Sequence, residues 1–217
     1  MASARRWTYS VAAGSESLRI FERQFRVYFK GNAFRRENRN SNGVPEQIDL
    51  FDGEAAYRLE LRDGKRTGRG SRLEDWQLHG VEFGIVTFGV IPLLRHLQNP
   101  TAETTGIKDG DGGQERLEIK IASGLWKLYL NDQHLIEKVE IVQDRHFLKI
   151  EFSDYRLVEG VFLPFKQRLF ENEKLFQEFA FESFDLSPSF SSDFFTREAF
   201  YREEVGQIGS LQRNSIE

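Results

Sequence analysis

His146-Phe147-Leu148-Lys149-Ile150-Glu151-Phe152-Ser153-Asp154 puts Leu148, Ile150 and Phe152 on one side of an extended chain and Lys149 and Glu151 on the other. This period-two alternation marks a half-buried strand. Glu159-Gly160 then turns the chain, and Val161, Leu163, Phe165, Gln167 and Leu169 share one side of a second strand. Asn172-Glu173-Lys174 turns it again, and residues 175–184 return as a third. Strands joined by such short turns form an antiparallel meander, and this one carries more phenylalanine on its faces than a small closed core needs.

The same signals extend toward the N-terminus. Residues 7–12 read as a first strand and 17–30 as a longer one, with Phe25, Val27 and Phe29 interleaved with charged residues. Residues 34–39 are polar on one side. Asp52-Gly53 is a strong hairpin signal between Ile48-Asp49-Leu50-Phe51 and a strand that sets Tyr57, Leu59 and Leu61 in register. Beyond it, 62–72 carries Lys65, Arg66, Arg69 and Arg72 with Gly68 and Gly70 between them. This reads either as a solvated loop or as a contact for acidic lipid headgroups or an acidic partner.

Residues 76–98 change character. Phe83, Ile85, Val86, Phe88, Val90, Ile91, Leu93, Leu94 and Leu97 follow neither alternation nor a single stripe. The pattern predicts a pair of short helices broken near Gly84 or Gly89, with Pro92 tolerated in a first turn. A helix apolar nearly all round must be covered on several sides, so the segment is expected to plug the concave face of the sheet. Residues 99–113 read as a polar, glycine-rich connection. Asp109-Gly110-Asp111-Gly112-Gly113 lacks the spacing of a calcium loop. Strands resume with Leu117, Ile119 and Ile121, then Trp126, Leu128 and Leu130, then Val139 and Ile141. Roughly ten strands and one helical insertion make the class mainly antiparallel β. Residues 1–200 are expected to form one domain, followed by a polar tail over 201–217, with a helical turn near 197–204.

The 217-residue chain has no cysteine, which excludes disulfides, thiolate metal sites and a cysteine nucleophile. Its formal charge of -4 weighs against a nucleic-acid binder, and no apolar run reaches the length of a membrane-spanning helix. His79, His96, His134 and His146 are scattered, so no metal site is read. There is no nucleophile elbow, phosphate loop or dinucleotide fingerprint, and no cofactor and no catalytic residue are assigned. The unusual feature is 20 Phe against 6 Tyr and 3 Trp. Phenylalanine makes a dry wall without a polar tip. Such rings either fill the interface between sheet and helices or face a hydrocarbon guest, whose burial is worth roughly 0.8 kcal/mol per methylene.

Four phrases, in this order and spacing, carry a resemblance: Phe29-Lys30-Gly31-Asn32-Ala33-Phe34-Arg35-Arg36-Glu37; Leu50-Phe51-Asp52-Gly53-Glu54; Phe152-Ser153-Asp154-Tyr155-Arg156-Leu157-Val158-Glu159-Gly160-Val161-Phe162-Leu163-Pro164-Phe165; and Phe184-Asp185-Leu186-Ser187-Pro188 before Phe194-Phe195. The chain resembles the LolA/LolB-like superfamily of bacterial lipoprotein carriers. That resemblance implies one strongly curved antiparallel sheet, an unclosed β-barrel, whose apolar concave face is covered by helices and receives acyl chains. It also implies a periplasmic or cell-envelope location. Met1-Ala2-Ser3-Ala4-Arg5-Arg6 shows no apolar stretch of a signal peptide, so an export signal is expected to lie outside this sequence. Where the resemblance implies a lid-holding arginine at the end of the strand over 26–30, this chain has Lys30-Gly31.

The expected function is therefore a non-enzymatic carrier of lipid or lipoprotein acyl chains. The wall is expected from Phe25, Val27, Phe29, Tyr57, Leu59, Phe88, Leu94, Trp126, Leu128, Ile150, Phe152 and Phe165, with Lys65, Arg66, Arg69 and Arg72 touching headgroups or a protein partner. The alternatives are a periplasmic protein-binding sensor or assembly module of the same fold, RseB-like, or an enzyme built on it.

Overall fold

Extended chain between left-handed turns builds most of the described protein. Two-residue turns with positive φ at both positions match the twist of antiparallel strands. Three recur here: Asp63-Gly64 (52° and 72°), Glu159-Gly160 (47° and 85°) and Asn172-Glu173 (47° and 64°). Side chains close three more reversals. Asn40 Oδ1 accepts from the N–H groups of Asn42 and Val44, both at 3.0 Å. Asn131 Oδ1 accepts from Gln133 and Leu135, also at 3.0 Å. Asp52 Oδ1 accepts from Glu54 at 2.9 Å and Ala55 at 2.8 Å. Short Asn and Asp side chains can satisfy backbone donors two or more residues on, which is why they punctuate strands.

The computed structural model describes residues 1–10, 18–31, 33–67, 70–74, 89–97, 103–109, 115–121, 124–143 and 146–202. The chain divides into two compact units, Met1–Ser3 with Arg23–Leu78 and Asp185–Glu217, and Ala4–Glu22 with His79–Phe184. Strands β1 (Ala2–Ser10) and β2 (Leu18–Lys30) have residues in each.

In the first unit, β2, β3 (Ala33–Arg39), β4 (Pro45–Phe51) and β5 (Ala56–Arg62) pair in sequence order, all antiparallel. The two-residue strand β7 (Ser71–Arg72) also pairs β5, while β6 (Lys65–Arg66) and β5 form a separate small sheet. Register puts Tyr28, Arg35, Leu50 and Tyr57 in one cross-strand row, next to the row of Glu37, Ile48 and Leu59. On this face Tyr28, Ile48, Leu50, Tyr57, Leu59 and Leu61 form a core with Phe195 and Phe200 of the C-terminal segment. Phe190, Phe194 and Tyr201 pack against it. The rings meet mostly edge to face, with Phe194 5.2 Å from Tyr28 and 5.0 Å from Phe195, the favoured geometry for aromatic pairs.

In the second unit the hydrogen-bonded order is β8 (Glu103–Asp109), β9 (Glu115–Ile121), β10 (Gly124–Leu130), β11 (Ile136–Gln143), β12 (His146–Val158), β13 (Val161–Glu171) and β14 (Lys174–Phe184). All these neighbours are antiparallel. Among the described residues the architecture is mainly β, without a closed barrel.

Three expectations need correction. The helices foreseen as a cover over the concave face are not what the structure shows. The described helices are α1 (Val90–Leu97) and α2 (Arg197–Arg202), eight and six residues long. Eight residues span only about 12 Å, too short to cover strands of 11 and 13 residues. Gly89, at φ 91°, stands immediately before α1, and Pro92 sits in its first turn, where the missing N–H costs nothing. The other half of the expected pair, 76–88, lies outside the described residues. Second, the polar connection over 99–113 contains strand β8. Among the described strands it pairs with β9 alone, and an edge strand need not show the alternation of a half-buried one. Third, the segment that covers an apolar face is the C-terminal one, whose Phe200 is buried although it borders a polar tail.

Candidate functional site

The apolar face of the second unit is set by register. Leu117, Leu128, Val139, Ile150 and Leu169 stand opposite one another across five strands. Beside them runs a row of Ile119, Trp126, Ile141 and Leu148, and on the other side Phe152, Gln167 and Phe179. Strand pleating sends alternate residues to one face, so three adjacent rows make one continuous patch. Trp126, Leu128, Val139, Ile141, Ile150, Phe152, Leu163, Phe165, Leu169, Phe179 and Phe181 are buried. Phe165 and Phe181 both pack against Phe184, at 5.2 and 5.0 Å. Gly89 lies against the Phe181 ring, 3.3 Å from where a Cβ would project, so α1 starts at the phenylalanine end of this unit.

Five expected wall residues, Trp126, Leu128, Ile150, Phe152 and Phe165, lie within this unit, the first four on the three registered rows. Leu94 belongs to the same unit, but it is 42% exposed while its neighbour Leu93 is fully buried. An apolar run without a stripe does not say which side of a helix faces inward. Phe88 lies outside the described residues. Gln167 and Leu169 were expected on one side of their strand with Phe165 but not in the wall, and the aromatic run of β14 was a usable signal for Phe179 and Phe181.

The other expected wall residues belong to the first unit and split between its two faces. Tyr57 and Leu59 lie in the core under Phe195 and Phe200, where the chain's own rings occupy the space beside them. Phe25, Val27 and Phe29 have the opposite parity. Val27 stands in register with Arg36, Asp49 and Arg58, and Phe25 with Asn38 and Gln47. Their row is thus electrostatic in part. Asp49 accepts from Arg36 Nη2 at 2.5 Å, Arg58 Nε at 2.7 Å and Gln47 Nε2 at 3.0 Å. Burial alone would raise the Asp49 carboxyl, but Arg36 and Arg58 outweigh it and hold the group below the ordinary carboxylate range. On the core face, fully buried Glu37 sits 3.3 Å from fully buried Arg35 and 2.5 Å from Arg39, and the Arg35 guanidinium lies 4.8 Å from the centre of the Phe194 ring.

Of the basic residues over 62–72, Lys65, Arg66 and Arg72 are exposed on β6 and β7, and Arg69 lies outside the described residues. Arg66 Nη1 donates to the Tyr201 carbonyl at 2.9 Å and sits over its ring at 5.4 Å. Tyr201 Oη donates to the Gly70 carbonyl at 3.1 Å. The loop is thereby pinned to the C-terminal segment. On the second unit, Glu137, Lys138, Glu151, Phe152, Ser153 and Arg168 line a groove of about 290 Å³. Arg168 pairs with Glu151 at 2.8 Å, so its charges are mutually neutralised. Among the described residues no group of three or more His, Asp or Glu could hold a metal ion.

Among the described residues the strands are antiparallel and the helices short, and the fold is LolA-like. The chain is similar over 91% of its length to a LolA superfamily protein from Nitrosomonas europaea, with a TM-score of 0.58, 11% identity and 90% of that chain covered. It is similar over 91% of its length to a DUF1329 family protein from Desulfovibrio piger ATCC 29098, with a TM-score of 0.56, 13% identity and 89% covered. No family model and no curated protein matches the sequence.

Proposed function

We propose that the protein is a non-enzymatic lipid or lipoprotein carrier of the bacterial cell envelope, and that acyl chains lie against the apolar face of the second unit. The observation that carries this reading is the set of three cross-strand rows around Leu128, Ile150 and Phe152. The LolA-like fold supports it, since one of the similar proteins is a LolA superfamily member. Trp126, Leu128, Ile150, Phe152 and Phe165 form the wall, with Leu169, Phe179 and Phe181 added. An alkyl chain needs no directional partner, and about eight buried methylenes contribute roughly 6 kcal/mol. These wall residues are buried, so their present neighbours must yield for a guest to reach this face.

Mass spectrometry of lipid extracted from purified protein and titration with a fluorescent fatty acid test the reading. Saturable binding is expected, and Phe152→Asp or Leu128→Asp should abolish it while circular dichroism still shows a folded chain. No extracted lipid together with no saturable binding would overturn it.

A further inference from the structure

The β12–β13 hairpin continues beyond its registered pairing with either neighbour, although β14 itself runs on to Phe184. Register with β11 ends at Lys138 opposite Glu151, and register with β14 ends at Lys166 opposite Ala180. Beyond those points Tyr155 pairs Pro164, Arg156 pairs Leu163, Leu157 pairs Phe162 and Val158 pairs Val161. These four rungs are a two-stranded ribbon about 13 Å long at the usual rise per residue. Tyr155 Oη donates to the Ile136 carbonyl and fixes its base. Leu163 and Pro164 are still buried, whereas three of the four residues in the last two rungs are exposed, Leu157 at 63%, Phe162 at 52% and Val161 at 49%, with Val158 half-buried.

Leu157 and Phe162 occupy one face of the ribbon, and Val158 and Val161 the other. A ribbon packed on a single surface would be apolar on one side and polar on the other. This tip is apolar on both. Exposed clusters of large apolar side chains mark interaction sites, and a tip apolar on both sides suits surroundings that enclose it. The charges agree. From Asp154 to Lys166 the formal charges are Asp154, Arg156, Glu159 and Lys166 and sum to zero. Arg156 donates to Asp154 Oδ2 at 2.6 Å and lies 4.3 Å from the centre of the Phe165 ring, so it stays at the base of the ribbon. Neither an acidic nor a basic partner is selected.

We infer that this hairpin tip is a lipid-bilayer contact, in which Leu157, Val158, Val161 and Phe162 enter the headgroup and upper acyl region of a membrane surface. The contact is driven by apolar burial and does not require anionic lipid. Glu159, at the leading end, limits its depth because a carboxylate stays among the headgroups. A tip-to-tip dimer is disfavoured because it would bring two Glu159 carboxylates together. The inference does not depend on the carrier reading, and fatty-acid binding on the other parts of the second unit can be measured separately.

The cysteine-free chain allows a direct test. Leu157→Cys carries an environment-sensitive fluorophore, with Val142→Cys, an exposed apolar site of the same unit, as the control. With neutral phosphatidylcholine vesicles the label at 157 should brighten several-fold, shift to the blue and be quenched by spin-labelled lipid, while the label at 142 stays unchanged. Leu157→Asp/Phe162→Asp should lower vesicle co-sedimentation at least tenfold, and Glu159→Gln should raise it. The double variant should still bind the fluorescent fatty acid with wild-type affinity, which separates failure here from failure of the carrier reading. An unresponsive label at 157, equal responses at both sites, or a response only to added envelope proteins would overturn the bilayer assignment.

Discussion

The two units apply one rule of strand alternation and reach different ends. In the first, the apolar face around Ile48, Leu50 and Leu59 is closed by the chain's own Phe195 and Phe200, and two charged residues, Arg35 and Glu37, are buried on it. In the second, the rows through Leu128 and Ile150 cross five strands, with Gln167 as a buried polar residue beside them. An apolar sheet face by itself does not indicate a guest. What fills the space above it does, and in the first unit a terminal segment rich in phenylalanine fills it.

The sharpest way to break this comparison is to remove one ring from each side. Phe200→Ala leaves a cavity in the closed core, where such truncations cost about 3–5 kcal/mol, so urea unfolding should show a large loss while fatty-acid affinity per folded molecule is unchanged. Phe152→Ala truncates a ring that is also buried and should cost stability too, but it should in addition weaken the guest at least tenfold per folded molecule. If Phe200→Ala weakens the guest as much as Phe152→Ala does, the functional contrast between the faces is false.

The next effect is electrostatic and confined to the first unit. Asp49 is buried between Arg36 and Arg58, and losing one partner of a buried, hydrogen-bonded charge cluster costs about 2–3 kcal/mol where a partner is partly exposed. Asp49→Asn should be destabilised by that amount between pH 5 and 8. The folded carboxyl titrates below its unfolded value of about 3.9, so the stabilisation is complete above that value and fades as pH falls through the folded one. Wild type and Asp49→Asn should therefore converge in acid unfolding below about pH 4. A gap that does not narrow at all as the pH falls below the unfolded value would mean that the amide disturbs packing rather than charge.

These contrasts explain which parts of the molecule were legible in its sequence. Alternation revealed the strands over 115–121, 124–130 and 146–184 because each has one buried face, and Trp126, Leu128, Ile150 and Phe152 were found in that way. Parity within one strand does not carry across a turn to the next, so Phe25 and Tyr57 were grouped although pairing puts them on opposite faces. Arg35 and Glu37 alternate like a solvated face. They are buried because they pair with each other and with Arg39 and lie under Phe194, a contact about 160 residues away along the chain. The same distance hid the C-terminal cover, whose rings at 190, 194, 195 and 200 have no strand period. The LolA-like fold was readable because four short phrases kept their order. The eight-residue length of α1 was not, because apolar content alone does not set where a helix ends.

The smallest expected effect isolates backbone from side chain at the second turn of the meander. Asn172-Glu173 adopts positive φ at both positions, 47° and 64°, which costs an L-residue other than glycine about 1 kcal/mol. The Glu173 carboxylate reaches Lys149 at 3.3 Å, but Glu173 is largely exposed, and such pairs contribute little. Glu173→Gly relieves the backbone, gives up that pair and enlarges the entropy of the unfolded chain. The opposing contributions leave a net gain of about 0.5 kcal/mol, or roughly 1–2 °C in Tm for a chain of this size. Glu173→Gln separates the two causes, because it keeps the strained backbone and removes only the charge. Equal stability of Glu173→Gln and wild type, with Glu173→Gly above both, would place the cost in the turn. A loss in Glu173→Gly matched by Glu173→Gln would instead make the ion pair to β12 the feature that holds this end of the apolar face in register.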